Sequence, residues 1–191
     1  MTSLQEQIKP HFIFNTLNLI SLLDMDEESS PGLISKTARN LSEILRYSIE
    51  NSSNMVSFND EITYLDKYIE IQNIKYEEKF SFVKIFEDEI NDCTVIKFIL
   101  QPIAENAIIH GILTSPTKNG TITVSARNKN DTLIIDVSNT GTMIPQHKLD
   151  SLNATLSTYM DSGDKHIGLV NVNNRIKLLF GEKYGIHISS V

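Results

Sequence analysis

At 191 residues, 40% of them apolar, the chain is long enough for one ordinary domain, or for a small helical module joined to a compact one. Lys and Arg number 17 against 24 Asp and Glu, and the resulting net charge of −7 excludes a dedicated nucleic-acid binder, which needs a basic face. The lone cysteine, Cys93, excludes an internal disulfide and a cysteine-rich metal site, and no apolar run approaches the ~18 residues that span a bilayer.

The first predicted element is a helix from about Leu4 to Leu23. At about 100° per residue, Gln7, His11, Asn15, Asn18 and Ser21 share one side of it. Phe12, Ile13, Leu17, Leu19, Ile20 and Leu23 share the other, so His11 sits on the polar stripe. Asp24 to Gly32 reads as a turn, with Ser30 as N-cap and Pro31 at the first position of a second helix. Leu33, Ile34, Thr37, Leu41, Ile44, Leu45 and Ser48 form the seam of that helix. Two such helices cannot bury their stripes alone, so pairing with a second copy into a four-helix bundle is expected. Asn51 to Asn54 marks the boundary between a domain of residues 1–54 and one of residues 55–191.

Ser57-Phe58-Asn59-Asp60 has the spacing of a capping box and opens a helix reaching about Glu78, with Ile62, Leu65, Ile69 and Tyr76 on its apolar side. Phe80 to Phe86 reads as a strand. The helix from Leu100 to Gly111 sets Asn106 and His110 four apart on one face. Thr121 to Asn128 and Thr132 to Ser138 alternate with period two and are joined in a hairpin at Lys129-Asn130-Asp131. Pro145 to His166 is polar and weakly periodic, the pattern of a mobile lid. A last helix, Leu169 to Leu179, stops near Gly181 and hands over to a short strand at Ile186 to Ser189. The fold class is α+β, a helical hairpin followed by an α/β sandwich with helices on one face of a mixed sheet.

Taken alone, His11 is more readily a hydrogen-bonded structural residue than a reactive one, and Asn106 is as readily a buried loop cap as a ligand. The string Gln7-Ile8-Lys9-Pro10-His11-Phe12-Ile13-Phe14-Asn15-Thr16-Leu17-Asn18 changes that weighing, because it resembles the phosphoacceptor box of sensor histidine kinases of the LytS/YehU type. The resemblance continues through Glu105-Asn106 and His110-Gly111, which look like the N box of the ATPase superfamily that also holds gyrase and the Hsp90 chaperones. It reaches Gly168-Leu169, Asn171-Val172 and Arg175, and so covers nearly the whole chain. It implies a dimerising phosphoacceptor hairpin followed by a Bergerat-type ATP-binding domain. Within that domain it implies ATP and Mg²⁺ as ligands, with Asn106 on the metal and His110 on a phosphate oxygen. Asn139 and Gly141 would hold adenine, and Gly168, Leu169, Asn171 and Arg175 would form the later nucleotide box. His11 would attack the γ-phosphate, oriented by Asn15 and Glu105, and then pass the phosphoryl group to an aspartate of a response regulator.

The chain departs from the family pattern at several places. Asn139 replaces an Asp and Met143 a Gly in the adenine box, which weakens the hold on adenine by about fivefold. Pro102 stands where gyrase-like ATPases have a water-activating Glu, favouring transfer over hydrolysis. Phe12 follows the His where the commoner kinases have an acid, while Lys75 and Ile96 replace Arg and Pro and are expected to alter packing alone. The resemblance further implies a homodimer, a membrane-anchored sensory region ahead of these residues, a cytoplasmic location for them, and an edge strand beyond Val191. The rival readings are a pseudokinase or dimerisation scaffold with a degenerate pocket, and an ATPase or Ser kinase.

Overall fold

The computed structural model describes residues 10–26, 31–50, 53–87, 90, 93–157 and 167–191. The expected first helical turn before Pro10, the Ser30 cap, Asn51-Ser52 of the linker, residues 158–166 of the expected lid and His166 lie outside them.

The hairpin is made of α1 (Pro10–Met25) and α2 (Pro31–Glu50), with Pro31 at the first helical position, where its missing N–H costs nothing. The α2 seam is not left bare for a second copy. Thr37, Asn40, Leu41 and Ile44 are buried and α2 packs on α3 (Phe58–Lys75) of the same chain. The Asn40 amide donates to Glu70 at 2.6 Å across that contact. α1 keeps an apolar outer face, with Phe14, Leu17, Leu22 and Met25 exposed.

A three-residue strand, β1 (Met55–Ser57), precedes α3 and pairs antiparallel with β3 (Thr94–Ile96). Neither strand has enough residues to show a period, so neither is legible in the sequence. Ser57 caps α3, its Oγ accepting the Asp60 N–H at 3.0 Å. Ser57→Ala should cost about 1 kcal/mol and lower Tm by about 2–4 °C. Thermal unfolding followed by circular dichroism checks this, and an unchanged Tm would show that the cap contributes nothing. α3 ends at Lys75, short of the expected Glu78, because Glu77 and Glu78 take left-handed φ of 59° and 56°.

The main sheet has the order β2-β4-β5 and is mixed. β2 (Phe80–Phe86) runs parallel to β4 (Gly120–Lys129), which runs antiparallel to β5 (Thr132–Asn139). The hairpin forms where the sequence places it. Asn130 and Asp131 supply the two positive φ values, 51° and 58°, that a tight primed turn needs. Ile122, Val124 and Ala126 project inward from β4 into one apolar cluster with Ile62, Leu65 and Ile69 of α3.

Three local expectations are corrected. The Asn106 helix is α-helical only over α4 (Gln101–Asn106) and widens into a π-helical turn at Ala107–Ile112, where the Leu113 N–H donates to the Ile108 carbonyl at 2.9 Å. His110 lies within that π-helical turn and is exposed. The expected lid begins as a helix, α5 (Gln146–Ser157). Its inward side consists of Leu149 and Leu156, with Leu152 half-buried between them, a short i, i+3, i+7 stripe outnumbered by the polar residues around it. Ile186 to Ser189 is not a strand: the backbone N–H groups of Ile186 and Ile188 donate to the side chains of Asn173 and Asn153 at 2.8 and 3.0 Å. Asparagine amides on α5 and α6 (Ile167–Phe180) stand in for the neighbouring strand that the alternation implied.

Candidate functional site

α1 is seated on α3 through Phe12, whose ring lies 5.2 Å from that of Tyr68. Thr16, one turn on, is buried and donates to the Phe12 carbonyl at 2.9 Å. With that face docked, His11 is held exposed at its rim and Asn15 half-buried beside it. The Asn15 amide nitrogen stands 3.1 Å from His11 Nδ1 and 3.2 Å from Nε2, donating to whichever ring nitrogen carries the lone pair.

His11 and Asn15 open into a cavity of about 240 Å³ whose other walls include Tyr68, Gln72 and Lys75 of α3 and Glu105 of α4. Three residues that the sequence reading grouped as the reacting centre, His11, Asn15 and Glu105, thus line one space although 94 positions separate the outer two. The same cavity brings in residues that reading did not assign. Lys75, expected to affect packing alone, adds a cation to the lining, and Gln72 and Gln101 add amide groups. The signal for them was present in part: Tyr68, Gln72 and Lys75 fall on one face of α3 at helical spacing. What the spacing could not say is that α1 covers that face. Ile96, by contrast, is buried as a packing residue.

The residues assigned to the nucleotide meet around α4 and its π-helical extension. Asn106 is half-buried, and its Nδ2 donates to the Pro102 carbonyl at 2.6 Å, which leaves Oδ1 as the acceptor end of the amide. Pro102, the residue occupying the place of the hydrolytic Glu, therefore orients Asn106 through its backbone. Gly111 lies directly against the end of β5, where an added Cβ would come within 2.2 Å of Asn139 Nδ2. Gly141, at φ +152°, lies so close that its own added Cβ would be 2.5 Å from the Gly111 carbonyl oxygen. The Thr142 N–H donates to that carbonyl at 3.1 Å, closing the contact. At the other end of α4, Gly168 in the first turn of α6 faces Pro102, with 3.5 Å between an added Cβ and the proline Cβ. Gly168 thus stands at one end of this helical stretch and Gly111, Asn139 and Gly141 at the other, with Asn106 between them.

The remaining assigned residues fall differently. His110 and Asn171 are exposed and Leu169 is half-buried. Arg175 is half-buried and donates through Nη2 to the Lys97 carbonyl at 2.8 Å, and burial holds its guanidinium below its ordinary pKa. That bond anchors α6 to the loop before α4, which makes Arg175 a structural partner. Among the described residues there is no group of three or more His, Cys, Asp and Glu able to hold a metal, and no helix long and apolar enough to cross a membrane.

Sequence comparison matches the chain to two family models. Residues 1–80 match the family model described as histidine kinase, and residues 91–190 match the one described as histidine kinase-, DNA gyrase B-, and HSP90-like ATPase. The chain is similar to the sensor histidine kinase YesM of Bacillus subtilis, 34% identical over 190 residues that make up 100% of this chain and 31% of that protein. It is 35% identical to the sensor histidine kinase YpdA of Escherichia coli, over 98% of this chain and 31% of that one. The sensor protein kinase HptS of Staphylococcus aureus is 31% identical over 100% of this chain and 35% of its own length. The chain spans about a third of the length of these relatives. With a histidine-bearing hairpin at one end and an N box, a glycine turn and a helix-led glycine around one core helix at the other, it belongs to the histidine kinase-, DNA gyrase B-, and HSP90-like ATPases, with residues 1–80 matching the histidine kinase model.

Proposed function

We propose that the protein catalyses ATP-dependent phosphorylation of His11 and passes the phosphoryl group to an aspartate of a response regulator. The observation that carries this reading is the shared cavity, lined both by His11 of α1 and by Glu105 on the helix that also carries Asn106. Phosphoryl transfer through a loose transition state asks mainly for positioning and for charge against the phosphates. A neutral imidazole has a lone pair to offer. The Asn15 amide nitrogen donates to the ring nitrogen that carries it and fixes its direction, and release of that bond bares the nitrogen. That nitrogen attacks the γ-phosphorus, the bond from phosphorus to the bridging oxygen breaks, and ADP departs with the bond electrons. The phosphoimidazole then loses its extra proton to Glu105 or to water.

Asn139 and Gly141 take the adenine end of ATP, and Gly168 at the start of α6 takes the phosphates through backbone N–H groups. His110, Leu169 and Asn171 complete the nucleotide set, while Arg175 serves it by holding α6 in place. Mg²⁺ fits this site, because it prefers few protein ligands together with phosphates and water, and Asn106 presents one amide oxygen of that kind. When bound with ATP it neutralises phosphate charge. The exposed apolar face of α1 is where a second copy pairs, and a membrane anchor outside these residues completes the reading as a sensor.

Incubation with γ-labelled ATP and Mg²⁺, followed by acid and alkali treatment, tests it. A label lost in acid and kept in alkali is expected of phosphohistidine. A label with the opposite behaviour would make the protein a Ser kinase. No label together with no saturable binding of a fluorescent ATP analogue would make it a pseudokinase scaffold, the reading that the Asn139 and Met143 replacements favour.

A further inference from the structure

Glu61, in the first turn of α3, is fully buried. A carboxylate is rarely kept out of water unless every oxygen has a donor, and this one has them from two other parts of the chain. Oε1 accepts the Leu100 N–H at 3.0 Å and Oε2 accepts the Phe98 N–H at 2.9 Å. The Tyr47 hydroxyl of α2 donates to Oε2 at 2.7 Å. Burial raises the Glu61 carboxyl above the usual range, and the Leu100, Tyr47 and Phe98 donors pull it back.

The two backbone donors are not arbitrary. Leu100 is the N-cap of α4 and has no capping hydrogen bond from its own side chain, so Glu61 supplies the cap from a neighbouring helix. Phe98 is held at φ 59°, a conformation that a bulky residue keeps only when its surroundings enforce it. The enforcement comes from the same partners: the Phe98 ring meets Tyr47 and Tyr64 edge-on at 5.4 and 5.0 Å. Between Asn54 and Phe98, Lys97 adds a second tie to α2, its Nζ donating to the Ser48 carbonyl at 3.3 Å. α2, which follows the phosphoacceptor helix, is therefore bonded to the segment that starts the nucleotide helix.

We infer that Tyr47 and Glu61 are positioning residues that transmit the placement of α2 to α4, and so to Glu105 and Asn106. A shift of α2 that withdraws the Tyr47 hydroxyl weakens the cap, relaxes the strained Phe98 and lets the start of α4 move. The catalytic consequence rests on the kinase reading above, whereas the mechanical link does not.

Tyr47→Phe isolates the link, since it removes the hydroxyl and keeps the ring stack. Hydrogen exchange should rise about tenfold at the Phe98 and Leu100 amides, the scale of one charge-assisted bond, while the amides of β4 stay unchanged. The rate of His11 labelling at saturating ATP should fall several-fold, with the KM for ATP within about twofold. Glu61→Gln, which keeps one carbonyl oxygen in the same volume, should raise exchange at the same two amides at least as much. Unchanged exchange at Phe98 and Leu100 in Tyr47→Phe overturns the inference, as does a uniform rise that includes β4. If the unaltered protein takes no label on His11, the kinase reading fails, and the exchange measurement still decides the link.

Discussion

Replacing His11 by Gln is expected to reduce acid-labile labelling to background while ATP binding survives. Glutamine is polar and nearly as long as histidine, and the site is exposed, so neither a cavity nor an unpaired buried group is created. Its amide can still meet Asn15 across one helical turn. What disappears is the nitrogen lone pair able to form the bond to phosphorus: of the other groups in the cavity, Asn15, Gln72 and Gln101 are amides, Lys75 as a cation has no lone pair, Tyr68 would give an acid-stable ester, and Glu105 would give an acyl phosphate of different stability. The nucleotide set lies around α4, β5 and α6, so titration with a fluorescent ATP analogue should give a dissociation constant within about twofold of the unaltered protein. The separation of the two readouts is the informative part. Acid-labile, alkali-stable label persisting in the variant would place the acceptor elsewhere and remove the central assignment.

Gly141→Ala should lower affinity for the same analogue about tenfold or more, with a modest loss of stability. The reason is backbone contact. The new methyl would stand 2.5 Å from the Gly111 carbonyl oxygen and 2.7 Å from its carbon, atoms that cannot swing aside as a side-chain tip can. A φ of +152° adds strain for any residue bearing a Cβ. The loop after β5 must retreat, giving up the Thr142 bond to Gly111 and carrying Asn139 with it. Strain of this kind costs about 1–3 kcal/mol, enough to shift Tm by several degrees. Gly111→Ala serves as a comparison from the opposite side of the contact. Its methyl meets the amide end of Asn139, which can rotate away, so affinity should drop with little change in Tm. Analogue titration and thermal unfolding of both variants supply the measurements. Should Gly141→Ala bind the analogue as tightly as the unaltered protein, the turn after β5 does not hold adenine.

The cap at Ser57, the first position of α2, β2 and the β4-β5 hairpin were all legible because each is decided within a few residues. A hydroxyl three positions before an amide, a proline with no N–H to satisfy, and two residues able to take positive φ carry their outcome with them. The site was legible in pieces. Taken alone His11, Asn106 and Gly168 are ambiguous and the resemblance is what assigns them, but it does not show that His11 and Glu105 share a cavity. Lys75 illustrates the gap most clearly: as a replacement for Arg it is expected to alter packing alone, and only the docking of α1 gives it a cavity to line. Arg175 shows the converse, a residue whose motif points to the nucleotide and whose guanidinium is bonded to a carbonyl 78 positions away.

By itself the sequence determined the longer helices and strands, their order, and the side chains proposed for phosphoryl transfer. The tertiary structure decided what depends on partners distant in the chain: the three-residue pairing of β1 with β3, the burial of the α2 seam on α3, the asparagine bonds that hold Ile186 and Ile188 outside any sheet, and the carboxylate of Glu61 capping a helix that begins 40 positions later. The division has one physical cause. Hydrophobic period, turn chemistry and capping are settled by neighbours within about one helical turn or one strand pair, whereas a buried polar group is settled by whichever donor the packed core brings to it.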